Sequence, residues 1–311
     1  MHVCVIGIGK VGLAYAVFLA SKGFEVTGVD INKKYIEDLK NGSCVPKEPG
    51  VADKLNTISY STSVPKGCDY YIVLVDTPTC YAGYDHKNLI RVMDSIEDIG
   101  TTIVSCTTQP GFMNKYKWAW YSPLFIQLGN ILNHENTTKE TLVGGPENKK
   151  IEEFFRIIRG EDSRIHWMNH TSAEVAKLSL NCIITTKISF ANMIGEALHR
   201  SGNSDQIDSV LDFVGADPRV GEKCLKYGWG YGGPCFPRDN RALCTFLRRW
   251  GAADYIPVAT HETNERHAMT MAMYEPNADF SDLNYKENCA VRCEEESHKI
   301  KTLKVKSFIY N

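Results

Sequence analysis

Apolar residues along the chain fall into short continuous runs, at positions 3–6, 24–29, 70–75 and 102–105, set between stretches with helical spacing. The first run ends in Gly7-Ile8-Gly9-Lys10-Val11-Gly12, and a helical pattern follows over 11–21, closed by Gly23. A further strand is expected at 142–145 and a helix at 149–159. Buried strands of four to six residues alternating with helices predict an α/β fold, a Rossmann-type doubly wound parallel sheet.

After position 170 the pattern changes. Thr171-Ser172-Ala173-Glu174 fits a capping box, with Thr171 as N-cap and Glu174 reaching back, and the helical period then runs on to Arg200 before Gly202. A helix of that length joins two lobes or forms an interface. Helical segments at 205–215 and 238–250 flank a glycine-rich loop at 228–233. The expected division is a dinucleotide-binding domain over 1–170, an all-α central domain with a long connecting helix over 171–273, and a short polar remainder over 274–311.

Bulk properties narrow the partners. Across 311 residues the formal net charge is −2, which gives no global attraction to nucleic acid or to an anionic membrane. No apolar run reaches the length of a membrane span, and the first strand starts at the N-terminus with no basic segment before it, so a cytoplasmic protein is expected. Eleven cysteines are scattered with no Cys-x-x-Cys pair; Cys289 and Cys293 lie four apart with no second pair to complete a site, so no metal is expected.

The glycine pattern carries the first chemistry. Gly7 allows a tight turn, Gly9 lets a pyrophosphate approach the backbone at a helix N-terminus, and Gly12 allows close packing of helix on strand. Asp30 ends the second strand, where an acid holds the adenosine ribose hydroxyls and repels a 2′-phosphate. The expected cofactor is therefore NAD.

The second half offers three candidates. Lys177 and Asn181, four apart, share one helix face. Gly232-Gly233-Pro234-Cys235-Phe236-Pro237-Arg238-Asp239 sets a cysteine between a flexible loop and a helix start, where a thiol is activated. Asp239 follows four residues later. Each has an ordinary explanation on its own: a solvated lysine, a structural cysteine, a first-turn acid.

Together these stretches resemble the UDP-glucose/GDP-mannose dehydrogenase family over about residues 1–270. The resemblance is carried by the Gly7–Gly12 fingerprint and by Asn41-Gly42 with Glu48-Pro49-Gly50. It continues through Val75-Asp76-Thr77-Pro78-Thr79, Cys106-Thr107 up to Gly111, and Glu174 with Lys177 and Asn181. It closes with Asp217-Pro218-Arg219-Val220-Gly221 and Gly232 through Asp239. The resemblance implies two successive oxidations of the C6 alcohol of a nucleotide sugar, with UDP-glucose as first candidate, using two NAD molecules and a Cys235 thiohemiacetal and thioester. It implies NAD contacts at Gly7, Gly9, Val11, Gly12, Asp30, Lys33, Thr77, Pro78 and Thr107. Catalytic roles fall to Cys235, Lys177, Asn181, Asp239 and Thr107, and substrate contacts to Lys177, Asn181, Arg219, Tyr231, Gly232 and Gly233. A homodimer through the long helix is also expected.

Two departures stand out. Where the family carries Asn-Pro-Glu-Phe-x-x-Glu-Gly, this chain reads Ser122-Pro123-Leu124-Phe125-Ile126-Gln127-Leu128-Gly129, so leucines replace both acids associated with handling water. The family's C-terminal nucleotide-sugar domain corresponds here only to the short segment 274–311. These departures keep open a stalled or non-catalytic NAD- or nucleotide-sugar-binding protein. A simple two-electron dehydrogenase of the β-hydroxyacid type is a third reading, and it leaves the Cys235 motif unexplained.

Overall fold

The computed structural model describes residues 1–274 apart from 81, 82, 98, 127 and 234. They divide into two compact units, one ending at Lys177 and the other beginning at Leu178.

In the first unit β1 (His2–Ile6), β2 (Glu25–Val29), β3 (Ser59–Ser61), β4 (Tyr70–Val73), β7 (Thr101–Val104), β8 (Trp120–Tyr121), β9 (Glu140–Gly144) and β10 (Arg164–Met168) form one sheet. Its strand order is β10-β9-β8-β7-β4-β1-β2-β3. Within this sheet all described pairings are parallel except β8 with β9. β1 and β4 lie in the interior of the sheet, so both their faces are covered and they read as unbroken apolar runs. Val3, Val5, Tyr70 and Ile72 enter one core cluster, while Cys4, Ile6, Tyr71 and Val73 enter another, as the two-residue period of a strand requires. The doubly wound sheet is thus as expected. The short pair β5 (Thr79–Cys80) and β6 (Gly83–Tyr84) forms a separate antiparallel ribbon.

The helices of this unit are α1 (Lys10–Ser21), α2 (Lys33–Lys40), α3 (Lys87–Ser95), α4 (Ile131–Thr137) and α5 (Lys149–Arg159). α1 is buried continuously from Gly12 to Leu19. α5 matches its expected span, with Asn148 capping it by accepting from the Lys150 and Ile151 amides.

α6 (His170–Arg200) runs through the boundary between the units. Its start corrects the capping-box reading: Asn169 Oδ1 accepts from the Ser172 amide at 2.9 Å, so Asn169 is the cap and Thr171 lies inside the first turn. Glu174 is thereby released for tertiary bonding.

The second unit continues with α7 (Ile207–Ala216), α8 (Phe236–Arg249) and α9 (Tyr255–Tyr274). Ala191, Ile207, Leu211 and Leu225 make one of its cores. Gly195 admits the Tyr227 ring so closely that a Cβ would meet it at 1.9 Å. α8 begins two residues before the expected start at 238, because Pro237 sits in its first turn, where a missing N–H costs nothing. The expected segment 274–311 lies outside the described residues beyond its first position.

Candidate active site

The glycine turn has the geometry a dinucleotide needs. Gly7 has φ +90°, and a Cβ there would press on Leu74 backbone at 2.8 Å. A Cβ on Gly12 would fall 1.9 Å from the Gly7 carbonyl oxygen, so helix and turn touch through the missing side chain. Gly9 faces open space with nothing within 4 Å of its would-be Cβ. Val11 lies half-buried in the first turn of α1, which holds no acidic residue, so the amide-bearing, positive end of the helix suits a pyrophosphate. Asp30, just past β2, accepts from the Asn32 amide through Oδ1, and Asn32 in turn caps α2, whose exposed first residue is Lys33. Open backbone, an acid-free helix N-terminus and a carboxylate at the end of β2 fit NAD.

Farther along the sheet, Thr77 Oγ1 donates to the Thr107 carbonyl at 3.0 Å, joining two expected cofactor contacts. Pro78 continues this turn, its carbonyl accepting from the Asp85 amide at 2.8 Å. The loop after Thr107 is gripped by Glu174, which is fully buried. Its carboxyl accepts from Thr108 Oγ1 at 2.8 Å, the Gly111 amide at 2.6 Å and the Met113 amide at 3.0 Å. Burial pushes this carboxyl up to about 7, against the lowering effect of those donors. Glu174 was assigned in the sequence to its own helix terminus; the available signal was its position three residues before Lys177, on the same face of α6.

Lys177 is buried and donates from Nζ to the Leu124 carbonyl at 2.9 Å, with the ammonium 4.5 Å from the centre of the Phe125 ring. The side chains of Leu124 and Leu128 pack against the apolar core of this unit. The segment is anchored by Glu48, whose buried carboxylate accepts from the Gly129 and Ile131 amides at 3.0 and 2.7 Å.

In the second unit, buried Asn181 donates from Nδ2 to Asp239 Oδ2 at 2.6 Å, joining two residues 58 apart in sequence. Cys235 is the N-cap of α8 and is exposed, and its carbonyl accepts from the Asp239 amide at 2.8 Å. The exposed thiol thus lies at the N-terminus of a 14-residue helix. Gly232 is buried and Gly233 has φ +77°. Tyr231 is fully buried, and its hydroxyl accepts from Asn240 Nδ2 at 3.1 Å. Arg219 is 88% exposed in its side chain and is paired with Asp217, whose carboxyl it holds below the usual range. Among the described residues no cluster of histidine, cysteine and acidic side chains could hold a metal, and no helix is long and apolar enough to cross a membrane.

Residues 1–159 match the NAD binding domain of the UDP-glucose/GDP-mannose dehydrogenase family, and residues 171–266 match its central domain. The chain belongs to that family, and its first unit is an NAD-binding domain. It is 29% identical over 291 residues to the UDP-glucose 6-dehydrogenase TuaD of Bacillus subtilis, covering 85% of this chain and 63% of that protein. It is 28% identical over 260 residues to a UDP-N-acetyl-D-mannosamine dehydrogenase of Methanococcus vannielii, covering 76% and 60%. A UDP-glucose dehydrogenase from Pyrobaculum islandicum shares the fold with TM-score 0.78 at 24% identity, over 89% of this chain and 72% of that one. The chain thus spans a little over three fifths of the curated relatives it matches.

Proposed function

We propose that this chain oxidises the C6 primary alcohol of a nucleotide sugar, a UDP-hexose, to the carboxylate in two NAD-dependent steps through a covalent bond to Cys235. The observation that carries the reading is the exposed Cys235 at the N-terminus of α8, with Asp239 one turn on and bonded to Asn181. Similarity to UDP-glucose and UDP-N-acetylmannosamine dehydrogenases supports the substrate class.

The cofactor would be held by Gly7, Gly9, Val11, Gly12, Asp30, Lys33, Thr77, Pro78 and Thr107. Bound NAD supplies the hydride acceptor in each of the two oxidations. Lys177 and Asn181 stabilise negative charge on the reacting oxygen as the alcohol proton passes through a water held by Thr107 to Asp239. The Cys235 thiolate then adds to the aldehyde carbon, forming a C–S bond, and the oxygen takes up a proton to give the thiohemiacetal. Oxidation of that species yields a thioester. Asp239 accepts a proton from the attacking water, with Thr107 holding it, and the C–S bond breaks to release the carboxylate and restore the thiolate. Arg219, Tyr231, Gly232 and Gly233 are proposed substrate contacts; Tyr231 is itself buried, with its amide and carbonyl bonded to Asn264.

A second reading concerns the last step. Leu124 and Leu128 pack against an apolar core and can neither transfer a proton nor hold a water. We therefore expect hydrolysis to be slow, with the thioester accumulating. Rapid mixing with NAD and UDP-glucose, or UDP-N-acetylmannosamine, distinguishes the two. A burst of NADH near enzyme stoichiometry followed by slow turnover supports the stalled form, and linear release supports full turnover. No NADH with any UDP-hexose overturns the proposal. A homodimer is also proposed, supported by Leu180, Ile183 and Phe190, which lie exposed along one side of α6.

A further inference from the structure

The glycine-rich loop leading to Cys235 is tied down by side chains rather than by secondary structure. Buried Asn192, on α6, accepts from the Gly228 amide through Oδ1 at 3.0 Å and reaches the Trp229 carbonyl with Nδ2 at 3.4 Å. Buried Asn264, on α9, accepts from the Tyr231 amide at 2.7 Å and donates to the Tyr231 carbonyl at 2.9 Å. His267, also on α9 and 1% exposed, has Nδ1 2.5 Å from Glu196 Oε1 and Nε2 2.6 Å from the Gly228 carbonyl.

The His267 contacts are chemically specific. Both ring nitrogens lie within hydrogen-bond distance of an oxygen, so the ring bridges the Glu196 carboxyl on α6 and the Gly228 carbonyl of the loop. Glu196 also lies 3.8 Å from Arg200. An amide or hydroxyl in its place could not span the two oxygens from opposite positions of a rigid ring. Gly228 is fixed by His267 and Asn192, and Tyr231 by Asn264 and, through its hydroxyl, by Asn240 on α8. The loop is thus held at two points before the chain enters α8 at Cys235.

We propose that His267, aligned by Glu196, is a positioning residue that fixes the glycine-rich loop so that the Cys235 thiol is presented in one geometry at the start of α8. This deepens the reading of Cys235 as nucleophile and rests on it for its functional meaning, while its physical content is measurable without turnover. The whole chain is labelled with iodoacetamide, and alkylation of Cys235 and of Cys44, in the first unit, is followed by peptide mass spectrometry in wild type, H267Q, E196A and E196Q. We expect the Cys235 rate to change about tenfold in H267Q and E196A, as loss of one hydrogen bond holding the loop permits. The Cys44 rate should stay constant, and E196Q, which keeps an acceptor for the ring, should lie closer to wild type than E196A does. E196A, altered at a side chain near the surface, serves if H267Q does not fold. Unchanged Cys235 labelling in folded H267Q or E196A, or Cys235 and Cys44 changing in parallel, overturns the proposal. If labelling shifts as expected while C235A still oxidises a UDP-hexose, the positioning role stands and the nucleophile reading fails.

Discussion

At the scale of single residues, the site depends on atoms that are absent as much as on those present. Gly12→Ala would place a methyl 1.9 Å from the Gly7 oxygen. The turn must open, and we expect a loss of about 2 kcal/mol or more in stability together with weakened NAD binding, measured by urea unfolding and calorimetric titration. Asp30→Ala removes the carboxylate at the end of β2; NAD affinity should fall about tenfold while discrimination against NADP relaxes. Retention of both by the variant would remove Asp30 from the cofactor site. These residues were legible because a turn, a helix start and a strand-end acid each demand one residue type. Glu174 was not, because a short-range capping pattern competed with a bond to residues 63 positions away in sequence, and sequence spacing carries no information on that distance.

At the scale of elements, α6 is the piece on which the proposed chemistry is strung, since it carries Glu174, Lys177 and Asn181. Its N-cap, Asn169, should be worth about 1 kcal/mol, so Asn169→Ala should lower the chemical-denaturation stability by that much. Thr171→Ala should do far less, and the reverse order would restore the capping-box assignment. Strands β1 and β4 and helices α1 and α5 were readable from hydrophobic runs and helical period. The strand β8 was not, since two residues are too few to show a period, and neither were the loop anchors Asn192, Asn264 and His267, whose partners are set only by the packing of α6 and α9.

At the scale of the whole molecule, pH acts through Glu174. The unfolded carboxyl releases its proton near 4.5 and the buried one near 7, so the folded state holds an extra proton in between. Stability from this group is complete below about 4.5 and declines as pH rises to about 7, by about 3 kcal/mol at most. Denaturation curves collected across that window should show the decline, and Glu174→Gln should flatten it; an equal slope in the variant would assign the effect elsewhere. Association belongs to this scale too: light scattering should give a dimer, and Ile183→Asp, on the exposed side of α6, should give a monomer. Wild-type protein that is monomeric at micromolar concentration would count against the proposed interface.

The measurement that bears most directly on the proposed chemistry is intact-protein and peptide mass spectrometry after quenching a mixture of the protein with NAD and a UDP-hexose. A sugar adduct on the Cys235 peptide, formed with NADH release and missing from Cys235→Ala along with the carboxylate product, is the predicted result. Full formation of the carboxylate by Cys235→Ala, with no adduct at that cysteine in the wild type, would contradict it.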